Sequence, residues 1–278
     1  MADAQGPVVV GIDGSEDATL ALRWASVYAV ATGAAVRAVA VLGHDLAGSD
    51  AADEVETTLV QEAQSVLAEA GATTYEVETR VGKASEELIA LSSEASVVVL
   101  GSQGHGAIEG LVVGSVSQHV SRHADSPVVV IREPARPQAT RVVVGTDGSD
   151  ESAPAVEWAF AYAAATGVDL TVVYGFRTSA SSPAILSGYI PTNVGDEIAV
   201  AEGVLADVVA PLSARYPGVS VQQEAITVPA AVALADASET AALVVVGSRG
   251  RGAFEGMLLG SVSQSLLHHA RCAVAVVR

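Results

Sequence analysis

Apolar residues occur in this chain in short uninterrupted runs, and longer amphipathic segments separate these runs. The runs 97–100 and 243–246 contain only Val and Leu, a composition typical of strands buried on both faces. In the first half, the pattern predicts strands and helices in alternation. The predicted strands are 8–12, 35–42, 75–81, 97–100 and 127–132, and the predicted helices are 15–32, 53–70, 85–93 and 115–124.

Alternation of strands and helices indicates an α/β fold in which helices cover both faces of a parallel sheet. Right-handed crossovers then give a doubly wound, Rossmann-like sheet of five strands, and we predict the strand order 3-2-1-4-5. In such a sheet, ligands bind in the crevice at the carboxyl ends of strands 1 and 4. The residues that follow these two strands are therefore the first candidates for a functional site.

The motifs of the first half return in the second half. The segment 11–15, Gly-Ile-Asp-Gly-Ser, recurs at 145–149 as Gly-Thr-Asp-Gly-Ser. The segment 101–104, Gly-Ser-Gln-Gly, recurs at 247–250 as Gly-Ser-Arg-Gly, and each copy is followed by a Gly-Ser pair at the start of a predicted helix. This repetition indicates a duplicated fold.

The duplication predicts two tandem domains related by a pseudo-two-fold axis, residues 1–133 and 140–278. Residues 133–138 have the composition of a linker. The second copy is longer than the first after its second strand, and we place the insertion at 178–193. Its apolar residues favour a lid or an intersubunit contact, and a loop packed on its own domain is the alternative.

Helix ends are marked by residues suited to capping. Ser15 and Ser149 are candidate N-caps because each is followed by acidic residues. Gly33, Gly71 and Gly167 follow predicted helices, where a left-handed C-terminal cap is expected.

A glycine-rich turn between a strand and a helix N-terminus favours an anion site, because unpaired N–H groups and the positive end of the helix dipole converge there. Ser115 adds a hydroxyl donor, and Asp13 is an acceptor suited to ribose hydroxyls or a base amine. Gly11 lets a ligand lie close to the strand end. Gly101 and Gly247 are expected to have a positive φ or to admit a phosphate close to the backbone. These features together describe a nucleotide site.

Two other nucleotide motifs fit poorly. The phosphate-binding loop of NTPases needs a Lys before its Ser or Thr, and Lys83 is the only lysine in the chain. The dinucleotide fold requires three glycines directly after strand 1, where this chain has Gly-Ile-Asp-Gly-Ser. We therefore reject both.

The pattern Gly, two residues, Gly, nine residues, Gly, then Ser resembles the signature of the universal stress proteins, in the tandem form common in actinobacteria. The resemblance spans the whole chain and implies one ATP site in each domain, together with a role in conveying stress or growth state. Glycines that only permit a tight turn, with Asp13 only capping its helix, are the alternative. The second copy has Arg249 and Arg251 where the first has Gln103 and His105, so the second site is expected to hold a triphosphate more strongly.

The candidate binding residues comprise the residues that match this signature and their neighbours in the motifs. They are Gly11, Asp13, Gly101, Ser102, Gln103, Gly104, His105, Gly106, Gly114, Ser115 and Val116 in the first half, and Gly145, Asp147, Gly247, Ser248, Arg249, Gly250, Arg251, Gly252, Gly260, Ser261 and Val262 in the second half.

Composition limits the partners. The net charge of −18 repels nucleic acid and anionic lipid, so we expect neither nucleic acid nor membrane as a partner. The sequence shows no cationic start followed by an apolar stretch and no apolar run long enough to span a bilayer, so we expect neither a signal peptide nor a membrane span. The single cysteine, Cys272, excludes an internal disulfide and is expected to pack in the core. We therefore expect a cytoplasmic protein.

Catalytic signals are weak. The chain has no Ser-His-Asp arrangement at a recognisable spacing and no lysine in the glycine loop. A binding protein is therefore favoured, with a slow ATP hydrolase or an assembly scaffold with vestigial pockets as the alternatives. His119 and His123 are spaced to share a helix face, but no third metal ligand is evident. We expect no metal site of the protein's own, and Mg²⁺ is expected only together with ATP.

The final strand of each domain, 127–132 and 273–278, is an apolar edge strand, which proteins usually cover or pair. We predict that the two strands pair with each other, as the resemblance implies, and that the chain forms a homodimer.

Overall fold

The structure is a computed structural model that describes residues 6–45, 48–104, 113–176, 194–251 and 258–278. The chain divides into two compact units, Met1–Glu133 and Pro134–Arg278. The predicted insertion at 178–193 lies outside the described residues.

The first unit alternates strands and helices along its length. Its strands are β1 (Val8–Ile12), β2 (Val36–Leu42), β3 (Tyr75–Val81), β4 (Val97–Gly101) and β5 (Val128–Ile131), and its helices are α1 (Glu16–Thr32), α2 (Asp50–Glu69), α3 (Ala84–Ser92) and α4 (Ser115–His123). These bounds differ from the predicted ones by at most a few residues at each end.

The second unit repeats the same alternation. Its strands are β6 (Val142–Gly145), β7 (Leu170–Gly175), β8 (Val221–Ile226), β9 (Leu243–Gly247) and β10 (Ala273–Val277), and its helices are α5 (Ala153–Thr166), α6 (Val194–Arg215), α7 (Ala230–Ala237) and α8 (Ser261–His269). Within it, the N–H of Ala135 donates to the carbonyl oxygen of Arg271 at 2.8 Å, which attaches the segment before β6 to this unit.

Each unit contains a parallel sheet. The strand orders are β3-β2-β1-β4-β5 in the first unit and β8-β7-β6-β9-β10 in the second, which confirms the predicted order 3-2-1-4-5. In the first unit, Val8 pairs with Val36 of β2 and with Val97 of β4. The ends of the two strands that flank the predicted crevice are therefore adjacent.

Burial explains why the central strands are apolar on both faces. Val8, Val9 and Val10 are at most 1% exposed, because helices cover both sides of the sheet. The strands β3 and β8, at the ends of these two strand orders, contain no fully buried residue and are exposed or half-buried along their length. The core of each unit lies on the two faces of its central strands.

Most of the helix ends for which the sequence predicts a capping residue have that residue. Ser15 is the N-cap of α1, and its hydroxyl accepts a hydrogen bond from the N–H of Ala18 at 3.2 Å. Gly33 and Gly167 are C-caps with φ of 75° and 71°, and Gly71 follows α2 with φ of 80°. These positions need a glycine because other residues rarely adopt a left-handed conformation.

The predicted N-cap Ser149 is wrong. Helix α5 begins at Ala153, one turn later than its counterpart α1, and its N-cap is Ser152. Pro154 lacks an N–H and is tolerated only in the first turn of a helix, so the helix starts beside it. Ser149 donates its hydroxyl to Asp147 and accepts the N–H of Ser152 at 3.3 Å, so it caps the turn that precedes the helix.

Strands β5 and β10 are buried along their length. Their pairing with each other stays a prediction, as does the homodimer. Cys272 precedes β10 and is fully buried, as expected for core packing. No helix in the described part of the chain is long and apolar enough to cross a membrane.

Candidate functional site

The carboxyl ends of β1 and β4 open into a cavity of about 390 Å³ in the first unit. A volume of this order suits a small-molecule ligand. The sequence-predicted residues that line this first cavity are Gly11, Asp13, Gly101, Gln103, Gly104, Gly114, Ser115 and Val116.

Hydrogen bonds place the N-terminus of α4 beside the end of β4. The N–H of Gly114 donates to the carbonyl oxygen of Ser102 at 2.7 Å. The hydroxyl of Ser117 donates to the carbonyl oxygen of Gly101 at 2.7 Å. One side of the cavity is therefore bounded by a helix N-terminus.

The N-terminus of α4 differs from the other helix N-termini of the first unit. Helices α1, α2 and α3 have acidic residues in their first turns, whereas α4 has none. Its N-cap, Gly114, has no side chain that could accept a hydrogen bond from the first turn. The positive end of the helix dipole therefore remains available to an anionic ligand. Helix α8 repeats this arrangement with Gly260 as its N-cap.

Asp13 follows β1 at the edge of the cavity. Its Oδ1 accepts hydrogen bonds from the N–H and the hydroxyl of Ser15, at 3.1 Å and 2.6 Å. A Cβ atom at Gly104 would collide with Oδ2 of Asp13. Because Gly104 has no side chain, the glycine loop can reach this carboxylate.

Asp17 in the first turn of α1 holds the start of the glycine loop. Its Oδ2 accepts the hydroxyl of Ser102 at 2.6 Å and the N–H of Gln103 at 2.8 Å. Ser102 and its counterpart Ser248 are buried, and neither lines a cavity. Ser102 therefore holds the glycine loop to α1 and is not part of the cavity lining.

Three candidate residues of the motifs, His105, Gly106 and Gly252, lie outside the described residues.

The second unit has a corresponding cavity of about 350 Å³ at the carboxyl ends of β6 and β9. The N–H of Gly260 donates to the carbonyl oxygen of Ser248 at 2.6 Å, as Gly114 does to Ser102. The sequence-predicted residues that line this second cavity are Gly145, Asp147, Gly247, Arg249, Gly250, Arg251, Gly260, Ser261 and Val262.

Asp147 is held by hydrogen bonds on both carboxylate oxygens. Ser149 donates its N–H to Oδ1 at 3.0 Å and its hydroxyl to the same oxygen at 2.5 Å, and the N–H of Arg251 donates to Oδ2 at 2.8 Å. Burial alone would raise the pKa of Asp147, but these hydrogen bonds outweigh it and hold the pKa below its ordinary value. The carboxylate is therefore ionised at neutral pH and fixed in orientation.

The guanidinium of Arg251 lies at the turn after Asp147. A Cβ atom at Gly148 would be 3.3 Å from its Nη2 and 3.9 Å from the ring of Tyr174. Burial raises the pKa of Tyr174, and the positive charge of Arg251 partly opposes that rise. Arg251 thus lines the second cavity from the side of Asp147.

The expected positive φ at Gly101 and Gly247 is wrong, because neither residue is among the glycines with a positive φ, and the close approach of a phosphate stays a prediction. A Cβ atom at Gly101 would lie 2.7 Å from Cβ of Asp17 and 2.9 Å from its carbonyl carbon. At Gly247, it would lie 2.9 Å from the carbonyl oxygen of Arg249 and 3.2 Å from that of Glu151. These glycines are required by close packing against neighbouring backbone.

Sequence reasoning missed an apolar wall of the first cavity. Val39 and Val41 of β2 line it, together with Ala84 and Leu88 of α3. The signal was available, because β2 was predicted to lie beside β1 and alternate residues of a strand share a face. The other cavity-lining residues that the motifs did not include are Ile12, Ser15, Ala18, Leu100 and Ser117 in the first unit, and Thr146, Ser152, Ala230, Leu234, Val246 and Ser263 in the second.

The histidine pair on α4 is a local contact. The rings of His119 and His123 are 4.3 Å apart, and Nδ1 of His123 lies 2.9 Å from the carbonyl oxygen of His119. Across the ranges that the structure describes, no group of three or more His, Cys, Asp or Glu residues is arranged to hold a metal ion.

The sequence matches the Universal stress protein family over residues 6–132 and 139–278. Universal stress protein Rv2005c of Mycobacterium tuberculosis is 36% identical over 292 residues, covering 99% of this chain and 97% of the relative. Rv1996 of the same organism is 34% identical over 302 residues, covering 98% and 94%. The crystal structure of a universal stress protein from Archaeoglobus fulgidus is 21% identical, has a TM-score of 0.68 and covers 99% of both chains, so it shares the fold.

Proposed function

Because the chain belongs to the universal stress protein family, we propose that it is a nucleotide-dependent regulator that binds one ATP molecule in each unit. The observation that carries this proposal is the uncapped N-terminus at the mouth of each cavity. Gly114 and Gly260 leave the first turns of α4 and α8 without a side-chain acceptor. Phosphate groups are the anions best suited to such a site.

The lining of the first cavity supports one orientation of the nucleotide, which we propose. The phosphates lie against the glycine loop and the first turn of α4, where Ser115 lines the cavity. The ribose lies near Asp13, because a carboxylate accepts hydrogen bonds from hydroxyl groups. The base lies in the apolar part of the cavity, beside Val41 and Leu88. Mg²⁺ arrives with ATP and is held by the phosphate oxygens.

We propose binding rather than catalysis. Phosphoryl transfer is assisted by a cation on the transferred group. Among the described residues, arginines line the second cavity and no cationic side chain lines the first, and the only lysine of the chain is Lys83. Its Nζ donates instead to Oε1 of Glu86 at 2.8 Å on the surface. In this proposal, a partner protein distinguishes the nucleotide-bound form from the empty form. The protein acts in the cytoplasm as a homodimer.

Retained nucleotide tests the proposal directly. Protein purified without added nucleotide is denatured, and the supernatant is examined by mass spectrometry, while calorimetry with ATP is performed on nucleotide-stripped protein. We expect ATP in the supernatant and up to two ATP molecules bound per chain. Protein that retains no nucleotide and gives no heat of binding with millimolar ATP would be a scaffold with vestigial pockets, contrary to the proposal.

A further inference from the structure

The two cavities differ on the side formed by the second strand and the helix after the third strand. In the first unit, Val39 and Val41 of β2 line the cavity. In the second unit, α7 contributes Ala230 and Leu234 to the lining, but no residue of β7 is among the described residues that line the cavity.

Gly175 accounts for this difference at the position of Val41, whereas Val173 retains a valine in the place of Val39. Strand β7 pairs with β6 in the register in which β2 pairs with β1, so Gly175 occupies the place of Val41. A Cβ atom at Gly175 would lie 2.6 Å from Cα of Ala230 and 2.9 Å from its backbone nitrogen. The start of α7 therefore packs directly on the backbone of β7, in the space that the side chain of Val41 borders in the first unit.

Among the described residues, this packing leaves the second cavity without a counterpart of the wall that Val41 forms in the first. In the first cavity a planar base can insert between the valines of β2 and Leu88 of α3 and bury its faces against aliphatic side chains. In the second cavity the helix backbone covers the end of β7, whereas the glycine loop, Asp147 and the N-terminus of α8 are retained. The groups for phosphate and ribose are thus present in both units.

We infer that the two sites recognise different parts of a nucleotide. The first site binds the base, ribose and phosphates of a purine nucleoside triphosphate. The second site binds the polyphosphate and ribose, and the base contributes little to its affinity. This inference rests on the proposed function, since it assigns a ligand class to each of the proposed sites.

Two matched variants isolate the sites. Gly114 and Gly260 have φ near −70° and ψ near 160°, a conformation typical of side-chain N-caps. In Gly114→Asp or Gly260→Asp, the new carboxylate accepts the N–H groups of the helix and repels phosphate. Gly260→Asp therefore retains only the first site, and Gly114→Asp retains only the second. ATP and inorganic tripolyphosphate are titrated into each variant by calorimetry.

For the first site, in Gly260→Asp, we expect ATP to bind at least tenfold more tightly than tripolyphosphate. Adding Val41→Ala should lower this ratio at least threefold, because the base loses part of its wall. Val81→Ala is the matched control, since Val81 is exposed at the end of β3 and does not line the cavity. An unchanged ratio in Val41→Ala would contradict the inference.

For the second site, in Gly114→Asp, we expect ATP and tripolyphosphate to bind within threefold of each other. Equal preference for ATP in both isolated sites would overturn the inference while leaving the proposed function intact. If neither the two variants nor the parent protein binds ATP, both the proposed function and the inference are overturned.

Discussion

The first cavity has glycine at positions 101 and 114 for two different reasons. A Cβ atom added at Gly101 would lie less than 3 Å from the Cβ atom and the carbonyl carbon of Asp17. Gly114 has room, since the nearest atom is the carbonyl oxygen of Ser102 at 3.5 Å. Gly101 is therefore needed for packing, whereas Gly114 leaves a helix N-terminus without a cap.

Gly101→Ala should lower the free energy of unfolding by about 1–3 kcal/mol, because overpacking displaces the first turn of α1. Gly203→Ala is the matched control. Gly203 is exposed within α6, and a Cβ atom there meets nothing within 4 Å. That substitution should raise the free energy of unfolding by about 0.5–1 kcal/mol, because Gly is a poor helix former. Urea titration measures both, and equal effects of the two substitutions would contradict the packing argument.

Asp147 should make the second unit sensitive to acid. Its pKa is lowered on folding by the hydrogen bonds from Ser149 and Arg251, which outweigh burial. A carboxyl with a lowered folded pKa stabilises the fold above its unfolded pKa of about 3.9, and this stabilisation is lost as the pH falls through the folded value. Asp147→Asn should therefore be less stable than the parent at neutral pH, and the difference should shrink on acidification.

Urea titrations from neutral pH to below pH 4 check this sign. Asp150→Asn serves as the control, because Asp150 is exposed in the turn that follows. A stability difference between Asp147→Asn and the parent that stays constant with pH would show that the carboxylate's charge does not matter.

At the scale of elements, the sequence predicted all the described strands and helices of the first unit. The runs of Val and Leu were sufficient to predict the central strands, because a parallel strand that is buried on both faces does not alternate apolar and polar residues. The start of α5 was missed because Ser149 has the residue type of a cap, while Pro154 decides where the helix begins. The walls of the cavities were missed because Val41 belongs to no motif, and the contact of Gly175 with α7 depends on tertiary packing.

A set of half-buried ion pairs attaches α3 to β3 near the first cavity. Arg80 donates to Glu78 at 2.8 Å and to Glu87 at 3.1 Å. The pKa of Glu78, which burial alone would raise, is lowered by its hydrogen bonds from Arg37 and Arg80. This set holds the helix whose Leu88 lines the cavity.

Arg80→Leu should therefore lower the free energy of unfolding by about 1 kcal/mol, because it leaves Glu87 without this partner. Arg23→Leu is the control, since Arg23 meets Glu69 at 3.4 Å and both side chains are at least half exposed. Its effect should be below about 0.5 kcal/mol. Thermal or urea unfolding at low and high salt compares them, and an effect of Arg80→Leu no larger than that of Arg23→Leu would contradict this role.

At the scale of the whole molecule, the chain combines a net charge of −18 with a glycine-capped, positively polarised helix N-terminus beside each cavity. The overall charge disfavours nucleic acid and other large polyanions, which must approach the whole surface. A small anion can enter a cavity in which N–H groups face it at short range. The two proposed sites are therefore better suited to small phosphates than to polymers of phosphate.

Calorimetry of ATP binding to the double variant Gly114→Asp, Gly260→Asp tests the central claim most directly. Both substitutions add a favourable N-cap, so the free energy of unfolding should stay the same or rise by a few tenths of a kcal/mol. ATP affinity should fall at least tenfold at each site, because the new carboxylates occupy the N–H groups that face the phosphates. A stable double variant that binds ATP with the stoichiometry and affinity of the parent would contradict the assignment of the phosphate sites.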